Sequence, residues 1–173
     1  MKSLRWFGAV VLAAVAVTPA VYAQQPPAPG PEHDVLKKWV GDWTTAINAG
    51  GQESKGTATY RMELNGLWLA STFKGELGGM SFQGRGMDTY DPAKKKYVAV
   101  WCDSMSAVPM MLEGTYDKDK KTYTMSGEGP GMDGKPTKFR EVVQWKDDDH
   151  FHFSMYMADG KDPMLTVAYT RKK

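Results

Sequence analysis

The 173-residue chain has little of what most chemical machinery needs: one cysteine, three histidines and no excess of either charge, with 22 Lys+Arg against 20 Asp+Glu. A single Cys102 closes no internal disulfide, so the fold must rest on its core. It also lacks a nearby partner that would make it a nucleophile. With His33, His150 and His152 alone, no zinc spacing and no Ser-His-Asp or Cys-His order arises, and no glycine-rich loop leads into a helix to cradle phosphate. Near-neutral charge leaves no field to draw nucleic acid or an anionic bilayer. After the N-terminus there is no long apolar run, and no segment is periodic for long enough to be a crossover helix.

The N-terminus reads as a targeting segment. Lys2 and Arg5 precede an apolar run over Ala9 to Val17, and Val21-Tyr22-Ala23 presents a peptidase site. The run is about half of the roughly 20 residues that span a bilayer, so residues 1–23 are expected to be a signal peptide cleaved after Ala23. No Cys lies there to be acylated. The expected location is periplasmic or secreted. Loss of Lys2 and Arg5 balances the remaining charges, so the mature net charge is zero. Residues 24–31 (QQPPAPGP) are a Pro-rich leader, and one domain is expected over 32–173.

Within that domain, Val35, Leu36, Trp39 and Val40 recur at helical spacing before Gly41, which predicts one short helix within His33–Val40. From Asp42 onward, short runs rich in β-branched, aromatic and Met residues alternate with turn residues. Ten strands are predicted near 42–48, 54–64, 67–76, 80–88, 96–103, 109–116, 121–128, 137–146, 150–157 and 164–171. Asn65-Gly66 signals a type I′ hairpin. Two turns repeat with an offset of one strand pair, Thr89 to Tyr97 and Thr115 to Tyr123, and a third acidic turn follows at Lys146 to His150. Asp in such turns hydrogen-bonds its own backbone, which explains the repeats without a ligand.

A ten-stranded meander must hide two edges, and closure into an up-and-down barrel is the complete solution. Such a barrel can hold one small ligand. Period-two alternation places Ala58, Tyr60, Met62, Leu64, Leu67, Leu69, Ser71, Phe73, Phe82, Met110, Leu112, Tyr116, Tyr123, Met125, Phe139, Glu141, Val143, Trp145, Phe151, Phe153, Met155, Met157, Leu165, Val167 and Tyr169 inside. On 96–103 either Val98 and Val100, or Tyr97, Ala99 and Trp101, face inward. His150 and His152 then point outward; inverted parity would instead offer an imidazole to haem. The many Met side chains read as core and adaptable pocket lining rather than Cu(I) ligands, since they are scattered over many strands.

Two motifs carry a resemblance. The helical turn before Gly41-Asp42-Trp43, with Arg171 closing the last strand, resembles the lipocalin and wider calycin signature, in which the arginine stacks over the tryptophan and seals one barrel end. More closely, Leu36-Lys37-Lys38-Trp39-Val40-Gly41-Asp42-Trp43, Phe73-Lys74-Gly75-Glu76, Trp101-Cys102-Asp103-Ser104-Met105-Ser106, Glu113-Gly114-Thr115-Tyr116-Asp117 and Thr137-Lys138-Phe139-Arg140-Glu141-Val142 resemble the exported bacterial family named domain of unknown function 1579. The resemblance implies a lipocalin-like barrel and export, and supplies no catalytic residue.

The candidate ligand-binding set is Tyr60, Ser71, Phe73, Trp101, Asp103, Tyr123, Met125, Glu141, Trp145 and Phe153. Glu141 stands out as a carboxylate on an apolar face, which must be paired or neutralised; Arg61, Arg85 and Arg140 are the available partners. The expected ligand is a small hydrophobic or amphipathic molecule, oriented by Glu141 or Asp103. No catalytic residue, metal or cofactor is predicted. The alternatives are an enzyme or haem/metal redox protein on the same barrel, and a filled barrel acting through its outer face.

Overall fold

The computed structural model describes residues 26–131, 134–157 and 159–173; the expected signal peptide lies outside them. One short helix, α1 (His33–Lys37), precedes ten strands: β1 (Gly41–Ala49), β2 (Gln52–Glu63), β3 (Trp68–Leu77), β4 (Met80–Asp91), β5 (Lys96–Asp103), β6 (Met110–Asp117), β7 (Thr122–Pro130), β8 (Pro136–Asp147), β9 (His150–Met157) and β10 (Leu165–Arg171). Each strand pairs antiparallel with the next, and β1 pairs with β10, Trp43 opposite Arg171, so the meander closes into the expected barrel. α1 is shorter than its apolar periodicity predicts, because Lys38, Trp39 and Val40 bond three residues back in a tighter turn.

The inward parity follows the alternation. On β5 the choice falls to Tyr97, Ala99 and Trp101, with Tyr97 and Ala99 in the core. Phe151 is buried, while His152 is exposed and His150 bonds Asp147 Oδ1 at 2.7 Å in the turn. The parity is therefore not inverted, and neither histidine of β9 enters the barrel. The repeated turns superpose chemically: Asp91 Oδ1 accepts the Ala93 and Lys94 N–H groups, Asp117 Oδ1 those of Asp119 and Lys120, and Lys95 and Lys121 take the same positive φ of 54° and 50°. Asp147 Oδ1 accepts the Asp149 N–H in the third turn.

The β2–β3 hairpin departs from expectation. Asn65 and Gly66 adopt the positive φ that the dipeptide predicts, but Leu64 does too, at 49°. The ladder accordingly ends at Glu63–Trp68. Leu64, expected inside, is 62% exposed.

One end of the barrel is a sealed floor. α1 lies across it with Leu36 buried, and Trp39 packs edge-on against Tyr123, Trp145 and Phe151 at 5.0–6.2 Å. Trp43, fully buried, donates its indole N–H to the Trp39 carbonyl at 2.8 Å. The Arg171 guanidinium sits 4.1 Å over the Trp43 ring and donates to the carbonyls of Val40, Lys38 and Asp148. This is the arginine–tryptophan seal that the resemblance implies. Gly41 is required beside it: its φ is +143°, and a Cβ there would stand 2.5 Å from Arg171 Nη1. Among the described residues no helix is long and apolar enough to cross a membrane.

Candidate functional site

Strand direction sorts the barrel into two ends. Turns β2–β3, β4–β5, β6–β7 and β8–β9 lie with α1 at the floor, and the other five hairpins frame the far end, called here the mouth. Met80, Met105, Val108, Met111, Met157 and Met164 stand exposed on or beside the mouth; Met157, expected inside, ends β9 there and is 45% exposed. At the floor end the exposed large apolar residue is Leu64.

Between the two lies the lumen, where the buried polar chemistry gathers. Glu141 is inward on β8, between Met125 of β7 and Met155 of β9. Asp88 is inward on β4, opposite Leu69 of β3 and Ala99 of β5. The two strands are four apart around a ten-strand ring, so the carboxyls face one another across the interior. Burial pushes Asp88 up to about 7; burial, and then the Asp88 charge, push Glu141 up to about 8.

Three tyrosines surround the pair. Burial holds the Tyr60, Tyr123 and Tyr169 hydroxyls well above their ordinary value, with Asp88 and Glu141 both adding to the effect at Tyr60 and Tyr123. Tyr123, 4% exposed, has a fully occluded hydroxyl without a hydrogen-bond partner. Tyr60 and Tyr169 approach with ring centroids 6.4 Å apart, and Tyr169 stacks on Phe151 at 4.2 Å.

No ion pair or hydrogen bond joins Asp88 or Glu141 to another described residue. The expected arginine partners point away from the interior, because each lies on the opposite parity. Arg61 pairs with Asp42 at 2.9 Å, Arg140 stacks 3.9 Å over Tyr156, and Arg85 is exposed on the outer face. Yet Asp88 and Glu141, deep enough for burial to govern them, keep accessible surface, as do Tyr60, Trp101, Phe153 and Met155.

All ten expected site residues face inward, but they divide among three neighbourhoods. Tyr60, Tyr123, Glu141 and Phe153 belong to the lumen, with Ser71, 9% exposed, on its wall. Trp145 belongs to the floor, 5.0 Å from Trp39 and 4.6 Å from Phe151, with its indole N–H occluded and unpaired. Phe73 packs on Phe82 at 5.9 Å, and Met125 is fully packed. Asp103 is committed to structure at the mouth: its Oδ2 accepts the Trp101 indole N–H at 3.0 Å and its Oδ1 the Met105 N–H at 2.9 Å. The Trp101 ring lies over the backbone of β4, where a Cβ on Gly84 would come within 2.1 Å of it.

Asp88 was not in the expected set, although it shares the parity of Phe82. Gly84 and Gly86 separate them, so the apolar alternation that marks an inward face is silent there. His33 is buried at the start of α1, and its Nδ1 accepts the Gly30 N–H at 3.0 Å. Among the described residues no group of three or more His, Cys, Asp or Glu side chains could hold a metal ion.

The fold and floor together define a calycin-like closed barrel. The chain belongs to the family described as protein of unknown function (DUF1579), whose model matches residues 28–171. Its fold is shared with the crystal structure of Rv2717c from M. tuberculosis, at 13% identity and a TM-score of 0.60, over 83% of this chain and 99% of that one. A redesigned β-barrel, b11L5F_LGL, aligns at 16% identity and a TM-score of 0.43, over 80% and 96%. No curated protein matches the sequence.

Proposed function

We propose that this protein is an exported carrier or sensor that binds one small amphipathic molecule inside its barrel. The observation that supports the reading most is the pair of interior carboxyls without partners among the described residues. A protein that only needed a filled core would gain by replacing them with apolar side chains, because an unpaired buried carboxyl is costly. Aromatic and thioether surface around a few convergent polar groups is the usual composition of a small-molecule site. Export rests on the Lys2/Arg5, apolar and Val21-Tyr22-Ala23 pattern of the N-terminus.

Native mass spectrometry of protein purified from the periplasm tests both parts. A mass beginning at Gln24, with a reproducible adduct lost on denaturation, is the expected result. A bare mass would count against a retained ligand, and retention of residues 1–23 against cleavage after Ala23. Binding of a neutral fluorescent naphthylamine should weaken in Phe153→Ala and not in His152→Ala, its outward neighbour; equal effects would contradict a lumenal site.

A further inference from the structure

The chemistry of the lumen points to the ligand's charge, an inference that rests on the lumenal reading above. Among the described residues, the inward carboxyls that no side chain or backbone group bonds are those of Asp88 and Glu141; Asp103, also inward, is held at the mouth by Trp101 and Met105. Arg171, a basic residue on an inward parity, is spent in the floor against Trp43 and the carbonyls of Val40, Lys38 and Asp148. A pair of carboxyls alone would not make a site. The second observation is Tyr123, 4% exposed, whose hydroxyl projects from the inward face into the field of both carboxyls, occluded and without a partner. No described residue satisfies it. The inward residues that are only partly buried include the aromatic Tyr60, Trp101 and Phe153 and the thioether-bearing Met155.

We propose that the lumen is a site for an organic cation, an amine or quaternary ammonium with an apolar tail, whose charged head is countered by Asp88 and Glu141 and faced by aromatic rings. A hard metal cation fits less well, because calcium seeks six to eight oxygen ligands and the walls here are rings and thioether. Aromatic faces attract ammonium groups and add to the carboxylate attraction. An anionic amphiphile would meet two acidic groups and no cation.

The cation binds the ionised pair, so binding displaces protons and tightens as pH rises through the range in which the pair titrates. The other groups facing the pair do not interfere there. The Tyr60, Tyr123 and Tyr169 hydroxyls from β2, β7 and β10 stay neutral; Ser71 on β3 does not ionise; and Asp103 on β5 is held by Trp101 and Met105 at the mouth.

Isothermal titration of the purified protein with decyltrimethylammonium, decanoate and decanol, below their micellar or solubility limits, separates the possibilities. The expected result is ammonium binding at least about tenfold tighter than decanol, with decanoate weakest, and affinity that rises between about pH 6 and about pH 8.5. In Glu141→Gln and Asp88→Asn the ammonium preference should fall about tenfold while decanol affinity is kept. Decanoate binding best, or a pH-independent ammonium affinity, would overturn the cation assignment. Decanol binding as well as the ammonium, unchanged in the variants, would overturn it too while leaving the lumenal site intact. Failure of all three probes would overturn the lumenal reading itself. Should either variant unfold, the pH profile and probe order of the parent decide the matter.

Discussion

The floor and the lumen of this barrel solve opposite problems with similar residues. At the floor, the groups that make the seal have protein partners: Trp43 donates to Trp39, and Arg171 stacks on Trp43 and bonds three carbonyls, while the Trp145 indole N–H is left unpaired. A few ångströms on, Asp88, Glu141 and the Tyr123 hydroxyl have none. Satisfied polar groups make a rigid plug, whereas unsatisfied ones leave a demand that something other than the protein must meet. The mouth differs again, with exposed Met80, Met105, Met157 and Met164 where the floor has buried tryptophan.

Breaking the floor should have the largest effect. Trp43→Ala removes the fully buried hub of the aromatic cluster, at about 3–5 kcal/mol. Arg171→Ala leaves the Val40 and Lys38 carbonyls without their donor and should cost about 2–4 kcal/mol. Urea unfolding monitored by tryptophan fluorescence measures both, and a loss below 1 kcal/mol, on the scale of surface substitutions, would show that the seal does not hold the barrel closed.

Gly84→Ala comes next. Its methyl group would meet the Trp101 ring at 2.1 Å, displacing the indole from Asp103 at a cost of about 1–3 kcal/mol. Near-ultraviolet circular dichroism reports the displacement, and an unchanged spectrum would contradict the placement of Trp101.

The carboxyl pair should reveal itself through pH. Asp88 and Glu141 have folded-state values raised from 3.8 to about 7 and from 4.5 to about 8, so the folded chain binds more protons than the unfolded one between those limits. Their contribution is therefore full below about pH 4 and is lost as pH rises to about 8. Asp88→Asn should flatten that decline and leave the protein more stable than the parent at alkaline pH, by about 1–3 kcal/mol. Parallel stability curves for parent and variant would contradict the unpaired state. The smallest effect belongs to the mouth: Met164→Ser should change stability by less than about 0.5 kcal/mol.

Most of the architecture was legible because the β period is short and the turns are explicit. Glu141 was visible between Phe139 and Val143, and the Asp91 and Asp117 turns announced themselves by repetition. What alternation cannot supply is height along the barrel. Trp145 and Phe153 share an inward parity, yet register against β9 and β10 puts one in the floor and the other in the lumen. Asp103 likewise faces inward but is bound by its own strand and loop. Asp88 was hidden by Gly84 and Gly86, which carry no side chain to mark the face, and by its closeness to the Asp91 turn. The arginines expected beside Glu141 match it in charge, but their parity sends them outside.

Infrared difference spectroscopy of the protonated carboxyl band across a pH titration addresses the pair directly, with Asp88→Asn and Glu141→Gln to assign it. The account predicts two carboxyl groups that remain protonated past pH 6 and ionise near 7 and 8, each lost in its variant. Complete ionisation of every carboxyl below about pH 5, where unperturbed Asp and Glu titrate, would contradict an unpaired acidic lumen.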